Sequence, residues 1–267
     1  MKSRKSNVQL KIGLFVLAAI LILMGIFFLL RSLSISIDLD TRWQPPSAQF
    51  PLGTDELGRD LLSCVVSGAG ISMLIGFAVV ILSAFIGIIM GMVAGFAGGF
   101  IDTILMRVVD IILAFPGILL AIGLSAFFSP GVFGIIFILT FSSWVGYARL
   151  VRAEVLKNKH KEFILAARSY NASFGRIIVF HLLPLILPIL LAQASVGAAG
   201  VILAESSLNF LGLGLGPEVP TLGQLIDIGI AHIYDQPRFI VAPGVVLFSI
   251  IISFNFIGEG LRKKFTR

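Results

Sequence analysis

The chain has 267 residues, of which 57% are hydrophobic and only 13% charged, with a mean hydropathy of +1.03. A soluble domain carries about 25% charged residues, so most of this chain belongs in lipid. A single cysteine excludes internal disulfides and argues against a thiolate metal site, and in a membrane chain the net charge of +6 is judged by its placement, not as a nucleic-acid footprint.

Residues 1–11 form a basic tail with Lys2, Arg4, Lys5 and Lys11, and 12–30 is an uncharged run of 19 residues, long enough to span. That run exceeds an ordinary signal-peptide core, and 31–34 offers no A-x-A cleavage site, so it is expected to be a retained first span. Residues 31–70 are a polar interlude containing PLGTDELGRDLLS. Arg59 sits among Asp55, Glu56 and Asp60, which favours helix capping over metal binding, and Thr54 or Asp55 is expected to cap a helix entering Leu61 and Leu62.

A second span over 71–96 is rich in Gly and Ala, which lets helices approach closely in lipid. Gly98-Gly99 precedes a third span at about 104–128, and Pro130-Gly131 precedes a fourth at 132–150. A basic segment, 151–183, leads to a fifth span at about 185–206. Pro184 and Pro188 are expected in its first turn, where missing N–H groups cost little. A glycine-rich loop then runs through 224–238 to a sixth span at about 239–260. The fold expected is all-α and membrane-integral: 1–70 as tail, first span and interfacial segment, and 71–267 as a five-helix core.

Six spans put both termini on one side. The tails, the 97–107 turn and the 149–183 segment hold 16 of the 20 Lys and Arg, while the other face holds Arg31, Arg42, Arg59 and Arg238 against eight acids. By the positive-inside rule both termini and the 151–183 segment face the cytoplasm.

Catalytic signals are sparse. The three histidines lack ligand spacing, and GxSxG, HExxH and GxxxxGK[ST] are all missing from the sequence. His181, one turn before Pro184, reads as a residue that caps or orients the start of the fifth span. Ionisable residues at membrane depth carry a functional default. Asp102, Arg107 and Asp110 share one sector of the third helix, either as a structural pair or as substrate contacts. Glu205 lacks a basic neighbour in sequence and, with Ser206 and Asn209, is a candidate for a gate or pathway or for a hydrogen-bonded structural role.

The polar stretch 162–184, EFILAARSYNASFGRIIVFHLLP, lies between two apolar runs. Wound as a helix, Phe163, Ala166, Ala167 and Tyr170 fall on one face, too narrow for a span and suited to docking. Asn171 stands where that helix ends, and Asn tolerates the left-handed conformation required there.

This stretch resembles the EAA loop of ABC importer permeases, with AAR, a helix-ending residue, and then Ile177, His181, Leu183 and Pro184 at the family's spacing. PLGTDELGRDLLS, GGFIDTILMRVVDIILAFP and ESSLNFLGLGL are similar to three further signatures of the dipeptide, oligopeptide and nickel branch, specifically its C-type subunit. The resemblance implies a MetI-like permease core whose 162–184 segment is a coupling helix inserted into a separate ATPase. Glu162, Phe163, Ala166, Ala167, Arg168, Tyr170, Asn171, His181 and Pro184 are the coupling residues, with Arg168 and Arg152 pairing with acids at the rim. ATP and Mg are expected on that partner only. Further implied partners are a B-type permease, two ATPase subunits or domains, membrane lipid and an extracytoplasmic solute-binding protein, the last meeting the outer loops and, among them, Asp55, Glu56, Arg59 and Asp60. Two departures stand out: the family's glutamate falls on Leu165, and its glycine on Asn171. The implied cargo is a short peptide or, alternatively, nickel or a metal chelate. An ion-coupled secondary transporter would use Asp110 or Glu205 as a relay and would be expected to show two repeat-related halves, which the sequence lacks.

Overall fold

The computed structural model describes the backbone of residues 2–30, 35, 37–216 and 218–265. The 31–34 stretch, Arg31 included, and Arg267 of the C-terminal basic tail lie outside the described residues. Among the described residues ten α-helices follow in chain order: α1 (Lys2–Leu30), α2 (Leu61–Ala97), α3 (Gly99–Leu113), α4 (Gly117–Ser125), α5 (Val132–Asn158), α6 (Glu162–Ser169), α7 (Phe174–Ile177), α8 (Leu183–Phe210), α9 (Leu222–Ala231) and α10 (Arg238–Phe265). A 3-10 turn occupies Leu39–Thr41, and a π-helical turn, Ile178–Leu182, joins α7 to α8. Among the described residues five helical runs are long and apolar enough to cross a membrane, and α3 with α4 makes a sixth if that bent pair is one span.

Glycine spacing decides how the core assembles. Gly87, Gly91 and Gly95 recur every four residues on the face of α2 that meets α5. A Cβ at Gly91 would fall 2.5 Å from the Ala148 carbonyl oxygen, and one at Gly95 would fall 2.8 Å from Val155 Cβ. The two backbones therefore lie closer than any side chain permits, and close van der Waals packing is what holds helices together in lipid. Gly76 admits Ile202 of α8, and Gly258 of α10 admits Val196 of α8, in the same way. Outside this bundle α1 lies along α10, with Gly13 against the Ser253 carbonyl and Gly260 against Leu10.

Several boundaries differ from expectation. The basic tail is not separate, because α1 is helical from Lys2. The second span begins ten residues early, at Leu61, and its N-cap is Asp60, whose carboxylate accepts from Ser63 N at 3.1 Å. Thr54 and Asp55 are committed elsewhere. Thr54 Oγ1 donates to the Thr41 carbonyl at 2.5 Å and accepts from Gln44 N, while Asp55 is ion-paired with Arg59 at 2.7 Å. The third span is broken by a bend of 82° between α3 and α4. Pro116 causes the break: its ring disfavours helical geometry at Phe115, and it has no N–H to continue the ladder.

The fifth span also begins differently. Helical structure starts at Phe174, ahead of the expected span; Pro184 falls in the first turn of α8, as expected, whereas Pro188 lies inside the helix. The π turn absorbs the first of them. Leu183 N donates to the Ile178 carbonyl, five residues back, which shifts the ladder just before the proline that cannot donate. Finally, α9 forms where a loop was expected. Thr221 caps it by accepting from Gln224 N at 3.2 Å, and Leu222, Leu225 and Gly229 are buried against α8 and α10.

Gly91→Leu is expected to wedge α2 from α5 and lower the thermal midpoint of the detergent-solubilised protein. Gly123→Leu, where an added Cβ meets nothing within 4 Å, is expected to leave that midpoint near the wild-type value.

Candidate functional site

At the end of the bundle where α2 and α5 stop, α6 and α7 form an elbow outside the apolar core. The elbow is held by one residue above all. Ile164 is fully buried, in a cluster with Met92 and the α5 residues Tyr147, Val151 and Val155, and with Ile177, Leu182 and Ile186 beyond the elbow. Ala167 and Ala172 pack partly against the same cluster. The expected docking face is thereby divided. Ala167 leans inward, whereas Phe163, Ala166 and Tyr170 remain on the outside, with Tyr170 89% exposed. Leu165, at the family's glutamate position, and Glu162 are exposed as well. Periodicity places the face on one arc, but α6 is apolar on two sides, and Ile164 belongs to the inner one.

The end of α6 is fixed by backbone geometry. Asn171 takes φ 56°, Asn171 N donates to the Arg168 carbonyl at 2.9 Å, and Ala172 N reaches back to the Ala167 carbonyl at 3.0 Å. This is the paired Schellman closure, and it requires a left-handed residue at this point. Ser173 then caps α7 through Arg176 N.

The cations expected at a partner's rim are occupied within the chain. Arg168 lies over the Phe96 ring at 4.4 Å, and Phe96 in turn meets Phe174 edge-on at 4.8 Å. Arg152 makes a bidentate pair with Asp102, at 2.5 and 2.7 Å. Asp110 pairs with Arg149 at 3.1 Å and not with Arg107, which is exposed. Both acids therefore bind α3 to α5, which favours the structural reading over substrate contact. Lys159 Nζ adds a bond to the Gly95 carbonyl at 3.1 Å, tying the end of α5 to that of α2. His181 Nδ1 is buried without a hydrogen-bond partner, which favours an orienting role over a capping one.

At the opposite end Glu205 is fully buried within a closed set of bonds. Its carboxylate accepts from Ser72 Oγ at 2.8 Å, Ser206 Oγ at 3.3 Å and Asn209 Nδ2 at 2.6 Å, and Asn209 Oδ1 accepts from Leu215 N at 2.7 Å. The set joins α2, α8 and the following loop. Of the two roles open for Glu205, Ser206 and Asn209, these bonds fit the structural one. In the loop-side segment Asp55 and Arg59 are sealed, at 0% and 2% exposure, and are unavailable to a docking protein. Asp60 is used as a cap, so of the four residues Glu56 alone is both exposed and uncommitted to a helix end. Among the described residues no group of three or more His, Cys, Asp or Glu gathers as for a metal.

An all-helical bundle with five helices, or six with the bent pair, long and apolar enough to cross a membrane, ion pairs used to join helices and a short helix displayed at one end is a multi-pass membrane component. The chain belongs to the family of binding-protein-dependent transport system inner membrane components, whose family model matches residues 87–267. It is 34% identical over 262 residues to a dipeptide transport system permease protein of Alkalihalophilus pseudofirmus, covering 98% of this chain and 86% of the relative. It is 35% identical over 260 residues to that of Bacillus subtilis, covering 97% and 81%, and 41% identical over 221 residues to a putative peptide transport system permease protein of Brucella suis, covering 83% and 74%. The resemblance carried by the four motifs is thus borne out: the chain is a permease component of this importer class and is not itself a catalytic subunit.

Two outcomes follow from the geometry. Asn171→Val is expected to speed amide exchange across 162–172, whereas Asn171→Gly is expected to leave it slow, because only the β-branched residue resists φ 56°. Glu205→Gln is expected to keep wild-type stability and uptake, since the Ser72 hydroxyl can turn to accept from the new amide. Glu205→Leu strands buried donors at about 1–3 kcal/mol each and is expected to lower the yield of folded protein; loss of transport with Gln alone would restore the pathway role.

Proposed function

We propose that this chain is one half of the translocation pathway of an ATP-driven importer of short peptides, moved by a separate ATPase through α6. The peptide cargo is supported by the relatives, which are dipeptide and putative peptide transport system permease proteins. Both termini and the elbow lie on the cytoplasmic side, as the distribution of Lys and Arg favours. The partners are a second, B-type permease, two ATPase subunits or domains that bind ATP and Mg, and an extracytoplasmic binding protein that delivers the peptide to the outer segments around 37–65 and 207–238, α9 included.

One observation carries the reading. Phe163, Ala166 and Tyr170 project from a helix whose other side is locked to the bundle by Ile164. An aromatic–small–aromatic face of this kind suits a groove on a partner, with the aromatic residues as anchors. A push on α6 is not absorbed locally. It passes through Ile164 to α2 and α5, and through Arg168, Phe96 and Phe174 to the end of α2, so the three move as a unit. The π turn and Pro184 give α8 a different bending response from its neighbours.

The double substitution Phe163→Ala with Tyr170→Ala is expected to lower peptide-stimulated ATP hydrolysis of the reconstituted complex at least about 10-fold, as loss of two interface anchors implies, with the chain still inserted in the membrane. Uptake of labelled dipeptide into vesicles is expected to require ATP and to survive an ionophore. Undiminished coupling in the double variant, or uptake abolished by ionophore alone, would overturn the proposal.

A further inference from the structure

Between α4, α5 and α8 lies a cavity of about 280 Å³ inside the membrane-spanning part of the bundle. Its lining includes Ser142, Ser143 and Tyr147 from α5, and Gln193, Gly197 and Gly200 from α8; none of the lining side chains is charged. Tyr147 is 3% exposed, yet its hydroxyl has no hydrogen-bond partner. Buried hydroxyls without partners are uncommon, because the lost hydration is not repaid. The hydroxyl rests against Gly197, where a Cβ would stand 2.6 Å away, while an added Cβ at Gly200 would meet nothing within 4 Å. Glycine at these two positions keeps the tyrosine in place and the space beside it open.

We propose that this cavity is a binding site for the main chain of the translocating peptide, with Tyr147 as its principal contact and Ser143 and Gln193 beside it. The inference rests on the peptide reading above and assigns the site that reading lacks, since the three acids expected on the pathway, Asp102, Asp110 and Glu205, are bonded within the chain. A phenol, a hydroxyl and a carboxamide offer both donors and acceptors to amide N–H and C=O groups. With no fixed charge, the site accepts peptides whatever their side chains and does not hold a free metal ion. The volume is near the lower limit for a small-molecule site, and Gln193 and Gly200 are exposed on the open side of α8. The remaining wall therefore comes from the second permease, and the cavity is half of a shared site.

The test uses the complete complex in vesicles with dialanine as the probe. Tyr147→Phe is expected to raise the KM for dialanine about 5-fold, the effect of one lost hydrogen bond, with assembled complex recovered at wild-type yield. In a second variant the buried Cys64 is replaced by Ala and Gln193 by Cys. Dialanine is then expected to slow labelling of position 193 by a methanethiosulfonate reagent. If wild-type vesicles take up no dialanine, the peptide reading fails and this site with it. If wild-type uptake is normal but Tyr147→Phe keeps its KM, or labelling at 193 is indifferent to dialanine, the peptide reading stands and the site is overturned.

Discussion

Everything in this chain depends on how closely α2 and α5 approach. Water cannot drive apolar helices together inside lipid, so contact must come from shape, and Gly87, Gly91 and Gly95 supply it. Around that contact the ionic bonds are placed where charge is tolerable. Asp102 with Arg152 and Asp110 with Arg149 fasten α3 to α5, and Lys159 closes the end of α5 on the Gly95 carbonyl. The glycines fix the distance between α2 and α5; the charges fix which neighbour stands beside the pair.

The elbow inherits its rigidity from this pair. Ile164 enters a pocket whose walls are Met92 from α2 and Val151 and Val155 from α5, so α6 has a firm seat only while those helices stay in register. The coupling role proposed for α6 needs two unlike sides, one bound into its own subunit and one presented outward. Eight residues provide both, and the Asn171 turn returns the chain toward the membrane at once.

Much of this was legible in the sequence because hydropathy and small-residue spacing are local. The spans, the glycine contact in α2, the outward position of Phe163, Ala166 and Tyr170 and the turn at Asn171 follow from neighbours a few residues apart. What was not legible depended on distant partners. Three cap-type residues precede α2, and Asp60 takes the role because Thr54 and Asp55 are drawn to Thr41 and Arg59. Arg152 and Arg168 look free in sequence, but their partners, Asp102 and Phe96, lie 50 and 72 residues away. The bend at Pro116 was hidden by apolar residues on both sides, and α9 by the glycines and prolines before it. Periodicity gave α6 one apolar face, and only packing could reveal that Ile164 makes a second.

The π turn before Pro184 has an effect on angular phase. Each residue in an α-helix advances the side chains by about 100°, and the five-residue bond from Leu183 to Ile178 accommodates one residue more than an α turn would. The elbow and the long helix behind it are thereby clocked relative to one another, so that Ile177 and Leu182 both point into the bundle while Phe174 reaches Phe96. A chain one residue shorter between 178 and 182 would turn the displayed aromatics away from their present direction without altering a single residue on α6. The aim of the elbow is thus written in a helix count, some distance from the surface it directs.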